Sequence, residues 1–273
     1  MDLVTVIGFA VAFIGIIGGF TIEGGSIAGL INLPGFLIVV VGTLGATMIS
    51  FPLEKIIAIP KLYMSALFNK LSVHAQHMGN ELVEMAGKAR REGLLSLEDD
   101  VSNIDDAFAK KGMMLMIDGT DPDALRSIME IDIDAVAARH RENAKVFEAG
   151  GGFAPTLGVL GAVMGLITVL GHLGGPPEEL GHGIATAFVA TFYGVGMANV
   201  ILLPIAEKLK VRSQEERMVR EMILEGIMSI QAGDNPRIVR EKLNSFLSPS
   251  ERDDGDGDDA PPDAGAAPAA DAA

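Results

Sequence analysis

The sequence predicts an all-α membrane protein with four transmembrane helices, a helical cytoplasmic domain and a C-terminal cytoplasmic helix. The chain combines 273 residues and a formal net charge of −15 with a mean hydropathy of +0.36, which is unusual for a soluble domain. The two properties are compatible because charge and apolar residues occupy different segments, and four stretches contain no Asp, Glu, Lys or Arg. As helices these stretches are about 27–35 Å long, which matches a hydrocarbon core of about 30 Å. They are Leu3–Phe20, Leu33–Phe51, Phe153–Leu173 and Gly183–Ile205.

The basic residues predict the orientation of these spans. The connection 54–152 holds 12 Lys and Arg, the segment after residue 205 holds the other nine, and the short connections 21–32 and 174–182 hold none. Because cytoplasmic loops carry the excess of Lys and Arg, both termini and the long connection are expected in the cytoplasm.

The two outer connections carry only acidic charges. A ring of copies would concentrate cations at that face. The alternative, that outer loops simply lack basic residues, explains the missing Lys and Arg but not the acids. The acids are Glu23, Glu178 and Glu179.

This pattern divides the chain into five parts. Residues 1–53 form a first transmembrane hairpin and 153–205 a second, with a cytoplasmic helical domain, 54–152, between them. Residues 206–247 continue as cytoplasmic helices, and 248–273 hold eight acids and one Arg among mostly Ala, Pro and Gly. That composition is typical of a disordered acidic tail.

Local signals predict where the cytoplasmic helices begin and end. The segment Glu81–Glu92 is expected to be helical and to end at Gly93. Ser96 followed by Asp99 resembles a capping box that begins the next helix.

The helix that leads into the third span is expected to be interrupted at the membrane. Asp121 and Pro122 provide an N-cap and a first-turn proline for a helix running toward Glu148. The glycine triplet Gly150–Gly152 is then expected to break it. After the fourth span, an amphipathic helix is expected to end near Gly233, and its apolar positions are Leu209, Val211, Met218 and Met222. A last helix, capped at Asn235-Pro236, is expected to reach about Leu247.

Small residues in the spans predict close helix packing. Gly161 and Gly165 form a G-x-x-x-G pair, and Gly158 lies one turn earlier. Such positions let helix backbones approach closely, which favours a tight bundle or ring. The alternative is that glycine is simply common in membrane helices.

Two prolines lie near the inner ends of the second hairpin. Pro155 and Pro204 fall at a similar depth, since the two helices run in opposite directions. Each frees a carbonyl and allows a bend, so together they indicate a flexible collar between membrane and cytoplasm. The competing hypothesis is a static kink that the neighbouring helices accept.

The spans lack the ionisable group that ion carriers usually place at membrane depth. If this chain transports ions, a partner must therefore supply the carboxylate. No Cys is present, and no motif for a catalytic centre, a metal site, a phosphate loop or nucleic-acid binding stands out, so an enzyme or an ATP-driven pump is disfavoured and no cofactor is expected.

Several long motifs resemble the flagellar motor stator A subunits of the MotA/PomA type. They are GGFAPTLGVLGAVMGLI in the third span, GHGIATAFVATFYGVGMANVILLPIAEKL in the fourth, IEGG in the first hairpin, VVVGTLGAT in the second span and ARREGLLSLE in the cytoplasmic connection. The resemblance covers Met1–Leu247 and leaves out the acidic tail.

The resemblance implies a ring of A subunits, thought to be five, around two peptidoglycan-anchored B subunits in the inner membrane. The B subunit carries the membrane aspartate that binds the ion, and ion passage rotates the A ring, which turns the rotor protein FliG. By motif, Arg90 and Glu98 face the rotor. The motifs also assign Pro155 and Pro204 to coupling, and Thr191 and Thr156 to the lining of the ion path.

Two alternatives accompany this interpretation. A TolQ- or ExbB-like energiser of an envelope protein shares the proton-channel core but generally has a different arrangement of spans. A self-sufficient channel is disfavoured by the missing intramembrane carboxylate. The residues do not distinguish protons from sodium as the coupling ion.

Overall fold

The computed structural model describes residues 3–68 and 72–248, and within these ranges it contains helices and no β-strand. The predicted all-α membrane fold is confirmed. Four helices are long and apolar enough to cross a membrane: Leu3–Ile22, Leu33–Ser50, Pro122–Gly171 and Leu180–Gln231. Of the predicted tail, 248–273, all but Ser248 lies outside the described residues.

The first hairpin consists of two helices with different degrees of burial. Helix α1 (Leu3–Ile22) has no buried residue. Its Phe9 side chain packs against a small apolar cluster that contains Phe147 and Ile205. The second span runs through α2 (Leu33–Phe36), a π-helical segment and α3 (Gly42–Ser50). The π segment is Leu37–Val41.

The connection between the two hairpins begins with α4 (Leu53–Phe68) and α5 (Ser72–Glu92). Helix α5 ends at Gly93, whose φ of 85° suits glycine, as the sequence predicts. The expected capping box is wrong: α6 (Glu98–Ser102) begins after a 3₁₀ turn, and the Ser96 hydroxyl donates to Gly93 O.

After α7 (Ala107–Ile117) the chain enters α8 (Pro122–Gly171), a helix of 50 residues. Its start is as predicted, because the Asp121 carboxylate accepts the backbone N–H groups of Asp123 and Ala124.

The predicted break at Gly150–Gly152 is wrong, since α8 continues through it. If Gly150 carried a side chain, its Cβ would lie 3.3 Å from a methyl of Leu202. A Cβ added to Gly151 in the same way would lie 2.6 Å from a methyl of Leu203. These glycines therefore admit a neighbouring helix rather than end their own. An intact helix also keeps its backbone groups paired where water is scarce.

The chain then runs back along α8 through three consecutive helical segments. It comprises α9 (Pro177–Gly196), a second π segment (Met197–Leu202) and α10 (Leu203–Gln231). Helix α11 (Pro236–Asn244) follows, and Asn235 caps it by accepting the Arg237 N–H, as predicted.

Helix α8 packs along α9 in its apolar second half and along α10 in its charged first half, so both regions share one axis. The main hydrophobic core lies outside the apolar spans, between α5, α7, the first half of α8, α10 and α11. Its largest fully buried side chains include Leu82, Leu97, Met113, Met116, Leu125, Met129, Met222, Ile223, Ile227 and Leu243.

Ion pairs join the helices on the surface of this core. Lys88 lies 2.8 Å from Asp100 and ties α5 to α6, and the hydrogen bond to Asp100 raises the pKa of Lys88. Lys242 lies 3.0 Å from Asp234, and its hydrogen bond lowers the pKa of the Asp234 carboxyl. Next to the apolar stretch of α8, a hydrogen bond to Glu148 raises the pKa of Lys210 and joins α10 to α8.

Candidate ion pathway and rotor-facing surface

The second hairpin is held together by close backbone approach. A Cβ on Gly165 would lie 2.9 Å from Ala187 N, and one on Gly194 would lie 2.5 Å from Ala154 O. These contacts are backbone atoms, which cannot turn aside as a flexible side chain can. The predicted role of the G-x-x-x-G pair in helix packing is confirmed within the subunit.

The two candidate hydroxyls lie on this hairpin but differ in exposure. Thr156 is exposed and donates to Phe153 O at 2.8 Å. Thr191 is half-buried and donates to Ala187 O at 3.2 Å. Because each hydroxyl gives its proton to its own helix, its oxygen lone pairs remain available to accept a hydrogen bond or contact a cation. Their assignment to the ion path stays a prediction.

Around Thr156 the face of α8 that is open in the single subunit is apolar. No Asp, Glu, Lys or Arg lies on α8 between Glu148 and its end at Gly171. The subunit thus offers hydroxyl and apolar groups but no carboxylate at membrane depth. The exposed large side chains of this face include Val159, Leu160, Val163, Met164 and Ile167.

The two candidate prolines lie in different local structures. Pro155 is inside the unbroken α8, whereas Pro204 is in the first turn of α10, directly after the π segment Met197–Leu202. A widened π turn accommodates a residue that lacks an N–H, and π segments are frequent at functional sites. Sequence reasoning missed this segment because neither its composition nor its spacing distinguishes it from an α-helix.

Sequence reasoning also missed a buried polar cluster at the outer end of the hairpins. The Asn32 amide donates to the Thr186 hydroxyl at 2.9 Å, and its carbonyl oxygen accepts the Gly35 N–H at 2.8 Å. The Tyr193 hydroxyl accepts the Asn32 N–H and donates to Leu30 O. We call Asn32, Thr186 and Tyr193 the outer clamp. The sequence signal is Asn-Leu-Pro, an N-cap with a first-turn proline, but its partners are more than 150 residues away.

The candidate rotor-facing charges lie in the connection between the two membrane hairpins. Arg90 is in the last turn of α5 and Glu98 is the first residue of α6, and both are exposed. The Lys88–Asp100 pair holds the two helices together beside them. Among the described residues neither Arg90 nor Glu98 has an ion-pair partner, so both charges are free for an external one. Their role stays a prediction.

Known proteins are similar to this chain over most of its length. A family model described as the MotA/TolQ/ExbB proton channel family matches residues 100–222, and one described as Motility protein A N-terminal matches residues 6–93. Motility protein A of Bacillus subtilis is 38% identical over 252 residues, which cover 92% of this chain and 93% of that protein. The chain belongs to the motility protein A family.

A second relative and a solved structure are also similar to this chain. The chemotaxis protein PomA of Vibrio alginolyticus is 33% identical over 258 residues, covering 92% of this chain and 98% of that one. The structure of the flagellar MotAB stator complex from Bacillus subtilis matches with a TM-score of 0.85 and 37% identity, covering 91% of this chain and 98% of that chain.

These matches confirm the predicted family and distinguish between the alternatives. The N-terminal motility protein A model includes nearly all of the first hairpin and the whole of α5, and the match covers 93% of the Bacillus subtilis protein. A TolQ- or ExbB-like energiser is therefore disfavoured. The multi-pass membrane architecture is common to the chain and the family.

Proposed function

We propose that this chain is the A subunit of a bacterial flagellar stator, which converts ion flow across the inner membrane into torque on the rotor. The observation that carries the proposal is the full-length match to a MotAB stator structure by a chain whose four apolar stretches contain no ionisable carboxylate. Both the sequence and the fold thus support a complex in which this chain forms the surroundings of the ion path and a second kind of subunit binds the ion.

The B subunit supplies the missing carboxylate. An ion needs a group that holds it part-way across the hydrocarbon core, and a membrane aspartate serves this purpose. Thr156 and Thr191 provide hydroxyl oxygens beside the path, while the apolar faces of α8 and α9 surround it. The proton-channel family name favours protons, and sodium is the alternative.

The complex is a ring, and a pentamer of A subunits around a B dimer is the expected stoichiometry. In the single subunit, α1 has no buried residue, and a Cβ on Gly15 or Gly18 would meet no atom within 4 Å. Close packing of small residues drives helix association in membranes. These faces are therefore available to neighbouring subunits and lipid.

The cytoplasmic domain delivers the torque. With both termini and the connection 54–152 in the cytoplasm, Arg90 and Glu98 reach the rotor protein FliG as exposed charges. Pro155 and Pro204 transmit motion from the membrane hairpin into the long helices α8 and α10.

Ion flux into liposomes tests the proposal. The A subunit alone should conduct neither protons nor sodium, and the complex with its B partner should conduct one of them. An aspartate-to-asparagine change in the B-subunit span is the matched control and should abolish flux without loss of assembly. Substantial flux through the A subunit alone would refute the division of labour.

A further inference from the structure

The outer clamp joins the start of the second span to one face of the fourth. Thr186 and Tyr193 are seven residues apart, which is two helical turns less about 20°, so they share a face of α9. Asn32 and Thr186 are both 8% exposed, and hydrogen bonds join Asn32 to both Thr186 and Tyr193.

The same face is in backbone contact with the second span. A Cβ on Gly35 would lie 3.5 Å from Cα of Ala190, which lies between the two clamp residues of α9. This face of α9 is therefore fixed at two points, by the hydrogen bond from Asn32 to Thr186 and by the contact of Gly35 with Ala190. Satisfied buried polar groups of this kind fix a unique arrangement, because each would be costly to leave unpaired.

Thr191 lies on the opposite side of α9. At about 100° per residue, its side chain is directed about 140° away from that of Thr186. Its backbone is also packed closely, since a Cβ on Gly158 would lie 3.3 Å from Cα of Thr191. A rotation of α9 about its axis would thus move the clamp face and the Thr191 hydroxyl together, in opposite directions.

The required tolerance is small. A side-chain oxygen about 5 Å from the helix axis moves by nearly 2 Å when the helix turns by about 20°. Misplacement by about 1 Å can strongly reduce the efficiency of a transfer step. The contacts with α8 fix the inner half of α9, and the clamp adds a second fixed point at its outer half, so a change at either one can alter the rotation of the helix.

We propose that Asn32 is a positioning residue for ion transfer: through Thr186 and Tyr193 it sets the rotation of α9 and thereby the direction of the Thr191 hydroxyl. This inference rests on the proposed function, in which Thr191 contacts the ion path. Loss of the clamp should therefore change the ion dependence of transport.

The test compares two substitutions at one position. Thr186→Val removes the hydroxyl at almost constant shape, and Thr186→Ser keeps it. In proteoliposomes containing the whole complex with its B subunit, flux is measured while the external pH and, separately, the sodium concentration are varied. Thr186→Val removes the bond from Asn32 and also the bond that the Thr186 hydroxyl donates to His182 O. Of these, only the bond from Asn32 joins two helices, and its loss should shift the half-saturating ion concentration by about three- to tenfold. Thr186→Ser should stay within about twofold of the unsubstituted complex.

Two further variants separate positioning from general damage. Asn32→Leu should shift the ion dependence in the same sense as Thr186→Val. Thr21→Val is the matched control, since its hydroxyl is exposed and bonds only to its own helix at Gly18 O; it should change nothing. If Asn32→Leu fails to assemble, the two Thr186 variants still decide the matter.

A double-mutant cycle tests the route through Thr191. Thr191→Val should shift the ion dependence, and adding Thr186→Val should shift it little further, because both act on the same group. Additive shifts, or equal behaviour of Thr186→Val and Thr186→Ser, would overturn the positioning role while leaving the stator function intact. A Thr191→Val complex with unchanged ion dependence would instead remove Thr191 from the ion path.

Discussion

The second membrane hairpin and the proposed cytoplasmic domain are both helical, yet they are held together differently. A Cβ on Gly112, in the cytoplasmic core, would meet the side-chain ends of Ile227 and Met129 at 2.6 Å. A Cβ on Gly194, in the membrane hairpin, would meet the backbone oxygen of Ala154 at 2.5 Å.

The difference reflects the two solvents. Water drives large apolar side chains together in the cytoplasmic domain, so its core consists of Leu, Met and Ile that interdigitate. Lipid gives no such drive between apolar helices, and association depends on close contact of small residues. The same residue type, glycine, therefore has a flexible environment in one region and a rigid one in the other.

The largest expected effect comes from an alanine at Gly194. The new methyl cannot be accommodated without separating α8 from α9, so Gly194→Ala should nearly abolish the assembled complex. Gly112→Ala is the matched change in the cytoplasmic core and should be tolerated, because the ends of Ile227 and Met129 can move aside. Size-exclusion chromatography of complexes extracted in detergent measures both. Equal losses would show that the two regions do not differ in this respect.

The next prediction concerns Pro155, which lies where the two packing regimes meet. A proline inside a helix costs about 3 kcal/mol, so its presence in an otherwise continuous α8 points to a mechanical role. Pro155→Leu should assemble with the B subunit yet give little rotation in a tethered-cell assay, even when the ion gradient is restored. Near-normal torque would show that the proline only shapes a static kink.

A core substitution tests the cytoplasmic side of the comparison. Leu82 is fully buried, and Leu82→Ala should lower the stability of the cytoplasmic domain by about 2–5 kcal/mol. Leu95→Ala is the control, since Leu95 is 73% exposed, and should change stability by less than about 0.5 kcal/mol. Protease susceptibility of the cytoplasmic domain during heating reports the loss, and the membrane hairpins should remain protected.

The smallest effect is expected at the exposed charges. Exposed ion pairs contribute about 0–1 kcal/mol each, so Arg90→Ala should reduce torque without abolishing motility. Glu98→Lys should reduce it more, because reversal adds repulsion. Swimming speed and torque measure the loss, and assembly should be normal in both variants. If either variant fails to assemble, the residue belongs to the fold rather than to a rotor contact.

Sequence patterns predicted the spans well because a charge-free helical stretch has few alternatives in a chain of this composition. Charge patterns and caps also predicted the end of α5 at Gly93 and the start of α8 at Asp121. These signals are local, since the residues that produce them are the residues that form the structure.

The failures have a common physical cause. Gly150 and Gly151 look like a helix break, but their role is set by Leu202 and Leu203, about fifty residues later. The outer clamp likewise depends on pairing Asn32 with Thr186 across the fold. Tertiary partners decided these positions, and local spacing carries no information about them.

The uninterrupted length of α8 has a mechanical consequence. Pro155 divides it into an arm of about 50 Å toward Pro122 and one of about 24 Å toward Gly171, at about 1.5 Å per residue. With Pro155 as fulcrum, the helix is a lever of ratio about two. A small tilt of the membrane arm would therefore displace the Pro122 end about twice as far as the Gly171 end, and with about half the force.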